Sequence, residues 1–204
     1  MIAIVNYGLG NVQAIANIYN RLGIPARIVS TADELADAGR VILPGVGAFD
    51  RAMARLNESG MRSVLDRLVL GEGKPALGIC VGMQMMARRS EEGVLDGLGW
   101  IAADVRRVDR LAPAETVQMP HMGWNDVQPV RAHALLKGLE TSAQFYFLHS
   151  YYVVTDAKDD VAAVTSYGAE FASIICRDRI CGAQCHPEKS HGWGIQLLKN
   201  FATL

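Results

Sequence analysis

The sequence predicts an α/β fold with a mostly parallel central sheet flanked by helices. Three observations carry this. Short apolar runs without polar alternation, at residues 2–6 and 40–43, fit strands buried on both faces. Segments with apolar residues at helical spacing lie between such runs. Strand and helix therefore alternate through the first half, the order that a helix-covered parallel sheet requires.

The first strand, 2–6, stays apolar until Asn6. A helix over 11–22 places Val12, Ile15, Ile18, Tyr19 and Leu22 on one face, and Gly23 stops it. A second strand spans 26–29. Thr31 and Glu34 then form a capping box that opens a short helix. The third strand, 40–43, runs into Pro44-Gly45-Val46-Gly47. Met61, Val64, Leu65, Leu68 and Val69 form another helical face. A fourth strand at 75–79 leads into a helix expected over 82–89. The second half is richer in strands, with candidates at 100–108, 145–153, 161–167, 171–176 and 180–185, all β-branched or aromatic in character. A closing helix is expected over 195–202. No linker, low-complexity tract or internal repeat interrupts the chain, so residues 1–204 read as one domain.

Half of the 204 residues are hydrophobic and a fifth are charged. Twenty Lys and Arg against 21 Asp and Glu leave a net charge of −1, which offers no footprint for nucleic acid or an anionic membrane. No apolar run approaches the ~20 residues of a membrane span. The opening Met1-Ile2-Ala3-Ile4-Val5 lacks a basic flank and reads as a strand rather than a secretory signal. A cytoplasmic protein is expected, and its four cysteines, Cys80, Cys176, Cys181 and Cys185, are expected to be unpaired. Cys176, Cys181, Cys185 and His186 suggest zinc, but no CxxC pair is present and strand neighbours face opposite ways. No metal or cofactor is expected.

Gly78-Ile79-Cys80-Val81-Gly82 has the G-x-nucleophile-x-G form of a nucleophile elbow, with Cys in place of Ser. A tight strand-to-helix turn leaves no room for a Cβ on either side, which explains both glycines. Free N–H groups at the helix start favour a thiolate over a thiol. Taken alone, the segment also fits a buried structural cysteine between packing glycines. A thiolate hydrolase needs a group that protonates the leaving amine and then activates water. Of five histidines, His186 fits best, because His186-Pro187-Glu188 ends a strand. Two positions apart on an extended segment, His186 and Glu188 point the same way. Glu188 can then fix the imidazole tautomer and leave the other nitrogen for Cys80. If strand 180–185 lies parallel to 75–79, both ends share the sheet edge where ligands bind. His133 reads as solvent-facing and His191 as a cap of the last helix, while His121 and His149 sit among aromatics. The Val81 N–H and the Gly45-Val46-Gly47 loop are candidate oxyanion donors, each worth on the order of 10²–10³ in rate. A plain strand-ending turn explains those glycines too.

These motifs resemble the class I (triad) glutamine amidotransferases over essentially the whole chain. Residues 77–84 and 182–188 carry the general likeness. Asn6-Tyr7-Gly8-Leu9-Gly10-Asn11, Pro44-Gly45-Val46-Gly47-Ala48-Phe49, Pro120-His121-Met122-Gly123-Trp124-Asn125 and Tyr146-Phe147-Leu148-His149-Ser150-Tyr151-Tyr152 are more discriminating. They are most similar to the glutaminase subunits that serve imidazole glycerol phosphate synthases. Val81 stands where Leu is frequent, and Cys185 where Phe is frequent. The resemblance implies a flavodoxin-like amidotransferase fold and a heterodimer with a (βα)8-barrel cyclase subunit. Such a complex turns an N′-ribulosyl formimino-carboxamide nucleotide and glutamine into imidazole glycerol phosphate, aminoimidazole carboxamide ribonucleotide and glutamate, in histidine biosynthesis. By motif matching, Cys80 is the nucleophile, His186 the acid–base and Glu188 its orienter. Gln84 and the strand His149-Ser150-Tyr151 would hold the glutamine backbone groups. Val46, Gly47 and Val81 would border the oxyanion. Asn11, Met122, Trp124 and Lys189 would lie at the interface near the ammonia exit. The alternatives are an amidotransferase subunit of another pathway, or a non-catalytic docking subunit.

Overall fold

Four parallel strands begin the chain in a computed structural model that describes residues 1–111 and 117–204. They are β1 (Ile2–Val5), β2 (Ala26–Val29), β3 (Arg40–Gly45) and β4 (Ala76–Cys80). Between them run α1 (Val12–Arg21), α2 (Ala32–Leu35), α3 (Phe49–Glu58) and α4 (Arg62–Asp66). Every residue of β1 and β4 is buried, as continuous apolar strands between two helical layers must be. The short α5 (Val81–Met85) follows β4 directly.

The rest of the chain supplies β5 (Arg89–Ser90), β6 (Ala103–Arg107), β7 (His121–Asp126), β8 (Gln128–Pro129), β9 (Gln144–His149) and β10 (Tyr151–Thr155). It ends with β11 (Val161–Tyr167), β12 (Ala169–Arg177), β13 (Ile180–Ala183) and α6 (His191–Phe201). The central sheet has the order β2-β1-β3-β4-β13-β12-β11-β8. Its first five strands are parallel and the last three antiparallel. Two small sheets, β10-β6-β5 and β7-β9, cover one end. The parallel part has the flavodoxin-like order. The Tyr19 hydroxyl of α1 donates to the Leu198 carbonyl of α6 at 2.9 Å and ties the two helices together.

Several elements differ from expectation. Helix α3 was not anticipated, although Phe49, Ala52, Met53 and Leu56 form its buried face. The face from Met61 to Val69 starts as α4 and loosens into a π-type turn over Arg67–Gly71. The helix expected over 82–89 stops at Met85, because Arg89 and Ser90 pair with β6. The single strand expected at 145–153 is two strands in different sheets, broken at Ser150. Strand β7, unforeseen, pairs with β9 so that His121 faces His149. The last helix begins at His191, four residues earlier than expected.

Register brings the site together. Gly45 lies beside Cys80, and Ala183 beside Ile79, so β3, β4 and β13 end at one sheet edge. No helix among the described residues is long and apolar enough to cross a membrane.

Candidate active site

Cys80 has a backbone φ of 55°, a left-handed conformation that a non-glycine residue adopts only under strain. Both flanking glycines are sterically required. A Cβ on Gly82 would sit 1.8 Å from the Leu43 carbonyl oxygen, and one on Gly78 would meet the Gly82 oxygen at 2.6 Å. Helix α5 has only five residues, so its dipole contributes less to a thiolate than a long helix would. A stronger source of positive charge lies opposite.

His186 follows β13, and its Nδ1 lies 2.9 Å from Glu188 Oε1. Burial pushes the imidazole toward its neutral form. Hydrogen bonding and charge from Cys80 and Glu188 override this and raise its pKa to about 10. Burial likewise favours the neutral form of Glu188, but His186 and Asn11 hold its carboxyl below the ordinary value. A protonated imidazole facing Cys80 and paired with the Glu188 carboxylate is therefore the favoured state of His186. Asn11 Nδ2 donates to the same Glu188 oxygen at 2.7 Å. Asn11, which the resemblance places at an interface, also steadies the Glu188 carboxylate from the edge of the cavity.

A cavity of about 380 Å³ opens over the sulfur. Cys80, Val81, Gln84 and His186 line it, together with Val46 and Gly47 from the loop after β3. His149, Ser150 and Tyr151 close the far side, and Asn11 and Lys189 reach its rim. The Tyr7 hydroxyl donates to the Pro44 carbonyl at 2.7 Å and anchors the root of the 45–47 loop.

His149 does not offer its ring to a ligand. Its Nδ1 donates to the Tyr151 carbonyl at 2.8 Å, and its Nε2 meets His121 Nδ1 at 3.0 Å. Asn125 Nδ2 closes the chain on His121 Nε2 at 3.2 Å. Burial holds both imidazoles neutral, with pKa values of about 3 for His149 and about 4 for His121. Ser150 and Tyr151 remain as the groups through which this strand faces the cavity.

Two groups at the site escaped sequence reasoning. Glu92 lines the cavity, and burial raises its pKa while the Phe49 N–H, at 2.8 Å, lowers it. Gln184 is buried beneath the sulfur, with its Nε2 3.8 Å from Cys80 Sγ. Glu92 sits in an unremarkable acidic stretch, and Gln184 points inward only once β13 is placed beside β4.

Met122 and Trp124 lie outside the cavity. They are 65% and 47% exposed, and Leu148, 37% exposed, joins them on the paired strands β7 and β9. Lys189 reaches over the Tyr146 ring, its Nζ 5.5 Å from the centroid. His191 does not cap α6. It starts that helix with a φ of 47° and stacks on Trp124 at 5.2 Å. His133 is half-buried rather than solvent-facing, its ring within 4.8 Å of the Cys176 and Cys181 sulfurs. This is a different trio from the zinc candidates of the sequence. His133 Nδ1 is engaged as the acceptor of the Leu135 N–H at 3.1 Å, and the ring also hydrogen-bonds the Cys176 thiol, so contacts within the protein account for the trio. All four cysteines are free.

The chain is similar to known proteins in sequence and in fold. The family described as glutamine amidotransferase class-I matches residues 3–203. The imidazole glycerol phosphate synthase subunit HisH of Bdellovibrio bacteriovorus is 56% identical over 204 residues, covering 100% of both chains. The HisH subunit of Leptospira interrogans is 46% identical over 204 residues, again 100% of both. A solved glutamine amidotransferase superposes with a TM-score of 0.74 at 19% identity, over 100% of this chain and 99% of that one. PurLQS of Thermotoga maritima gives 0.73 at 15% identity, over 99% and 97%. At such low identities the two structures speak for the fold alone. The family match runs nearly end to end, over a cysteine elbow and a His–Glu pair that meet at one sheet edge, and the chain belongs to the class I glutamine amidotransferases.

Proposed function

We propose that this chain is the glutaminase subunit of an imidazole glycerol phosphate synthase. In this reading Cys80, His186 and Glu188 hydrolyse glutamine, and the ammonia passes to a (βα)8-barrel cyclase subunit. The observation that carries it is the Cys80–His186–Glu188 alignment inside a cavity of amino-acid size. The full-length HisH relatives support the pathway. Their naming as subunits fits a chain that works with a partner.

The Cys80 thiolate attacks the side-chain amide carbon of glutamine. The Val81 N–H, with a donor from Val46 or Gly47, receives the charge that develops on oxygen. His186 gives its proton to the departing ammonia, leaving a glutamyl thioester. A water activated by the now neutral imidazole releases glutamate and restores the ion pair. Among the other lining groups, Glu92 offers a carboxylate for the α-ammonium. Gln84, whose N–H groups are spent on Tyr151 and Gln184, offers its Oε1 to the same ammonium, and Ser150 and Tyr151 offer polar donors for the α-carboxylate. Glu188 does not serve the ammonium, since its Oε1 is taken by His186 and Asn11, its Oε2 is buried, and it is not among the cavity-lining residues.

Ammonia in bulk water becomes ammonium and loses its nucleophilicity, so a docked synthase beside the cavity is chemically required. The apolar strip of Met122, Trp124 and Leu148 next to the cavity suits that docking. Such metabolism belongs to the cytoplasm. The test is glutamate release by the chain with and without the cyclase subunit and its nucleotide ligand. Cys80→Ala should abolish glutamine-dependent synthesis by the complex and leave ammonia-dependent synthesis intact. Continued use of glutamine by that variant would remove Cys80 from its role.

A further inference from the structure

We propose that Gln184 is a further working residue of this site, whose carboxamide N–H donates to the Cys80 sulfur and supports its thiolate form. Gln184 follows β13, and its side chain is completely buried beneath the elbow. Its backbone N–H is committed to the Ser173 carbonyl at 2.9 Å, which leaves the side chain to work alone.

The orientation of that carboxamide follows from its neighbours. An amide's oxygen and nitrogen are alike in shape, so hydrogen-bond partners must assign them. The Tyr151 carbonyl can only accept. The Gln84 atom 3.0 Å from it is therefore nitrogen. That same Gln84 nitrogen lies 3.0 Å from a Gln184 atom, which must then be the oxygen. Gln184 Nε2 is left facing Cys80 Sγ at 3.8 Å, a distance suited to an N–H···S bond. Rotating either amide would set two donors or two acceptors against each other in a buried place, which costs more than the bond gains. The Tyr151 carbonyl is itself held from the other side by His149 Nδ1 at 2.8 Å. The assignment thus rests on fixed groups at every step.

The chemistry is asymmetric between the two forms of the sulfur. A thiol can donate to the Leu148 carbonyl, 3.9 Å from Sγ, and a thiolate cannot. An N–H from Gln184 serves the thiolate, since hydrogen bonding to the charged form favours that form. The same donor meets the charge again when water expels the sulfur from the thioester. His186 supplies the opposite charge, and Gln184 supplies a neutral donor that stays in place throughout the cycle.

The catalytic consequence rests on the glutaminase reading, but the reactivity of the sulfur can be measured without turnover. Iodoacetamide alkylation of Cys80 is followed by mass spectrometry across pH in the intact chain. Gln184→Met keeps the volume and removes the donor. Gln184→Glu keeps an acceptor for the Gln84 N–H and sets a carboxylate against the sulfur. Each variant should move the alkylation midpoint up by about one pH unit, with roughly tenfold slower alkylation below it. In the complex, kcat should fall by a similar factor, with the KM for glutamine within about twofold. Folded variants that keep the wild-type midpoint would overturn the proposal, as would a rise in KM at constant kcat. If the Met variant does not fold, the Glu variant decides alone. A shifted midpoint in a chain without glutaminase activity would keep the donor role and sink the glutaminase reading instead.

Discussion

Glu188 works on His186 through one nitrogen, and what it does there is measurable. Its carboxylate fixes the Nδ1 tautomer and supplies negative charge at 2.9 Å. Glu188→Gln keeps the shape but removes the charge and makes the tautomer ambiguous. In the complex, kcat should fall by about 10²-fold, the upper range for loss of an orienting partner, with a smaller change in KM. An unchanged kcat would refute the orienting role. The charge of His186 also predicts a pH dependence of stability. Its folded pKa, about 10, lies above the ordinary 6.5. The stabilisation from its protonated form is therefore complete below pH 6.5 and is lost as pH rises toward 10. Denaturant melts of the wild type and His186→Asn should differ most at low pH and converge over that window. A constant difference would mean that the imidazole titrates alike in the folded and unfolded chain, and a difference that shrinks below pH 6.5 would mean that it is neutral in the fold. At this scale the meeting of Cys80, His186 and Glu188 was legible, because an elbow and a His-Pro-Glu step are local patterns with local reasons. Glu92, Gln184 and the Asn11–Glu188 bond were not, because each needs segments far apart in the chain to meet.

Among the elements, legibility followed burial. Strands β1, β3 and β4 were readable because sequence and burial agree along their length. The break between β9 and β10 was not, since residues on both sides of Ser150 are equally β-prone. Pairing decides it: β9 follows β7, whereas β10 turns to pair Val153 with Val105 of β6. Helix α3 was obscured by its polar outer face, with Arg51, Arg55, Asn57 and Glu58 masking the period of the buried side. The docking of α1 on α6 gives a test at this level. Tyr19 is wholly buried, and its hydroxyl donates to the Leu198 carbonyl, which also receives the Ala202 N–H at 3.2 Å. Tyr19→Phe keeps the ring and removes one bond, while the carbonyl retains a donor. The expected loss is about 1 kcal/mol in urea melts at unchanged m-value. A loss several times larger would mean that the hydroxyl organises more of the helix pair than this one contact.

Considered as a whole molecule, the chain places its chemistry beside an exposed apolar strip, and Leu148 belongs to both. Strand β7 carries His121 and Asn125 inward on the chain that leads to the Tyr151 carbonyl, and Met122 and Trp124 outward. One strand thus links a buried histidine chain, which reaches the cavity-lining Tyr151, to the exposed apolar strip. Trp124 is held rather than loose, stacked on His191 with planes 6° apart and edge-on to Tyr146 at 6.4 Å. A preorganised aromatic surrounded by apolar neighbours is the kind of side chain that dominates an interface. Trp124→Ala should therefore weaken binding of the cyclase subunit by about 2 kcal/mol, roughly 30-fold in Kd, as read by titration calorimetry. The stability of the isolated chain should change little, because nearly half of the side chain already faces solvent. Glutamine-dependent synthesis should fall with occupancy and recover at high partner concentration. Unchanged affinity would place the docking surface elsewhere and leave this apolar strip without a partner.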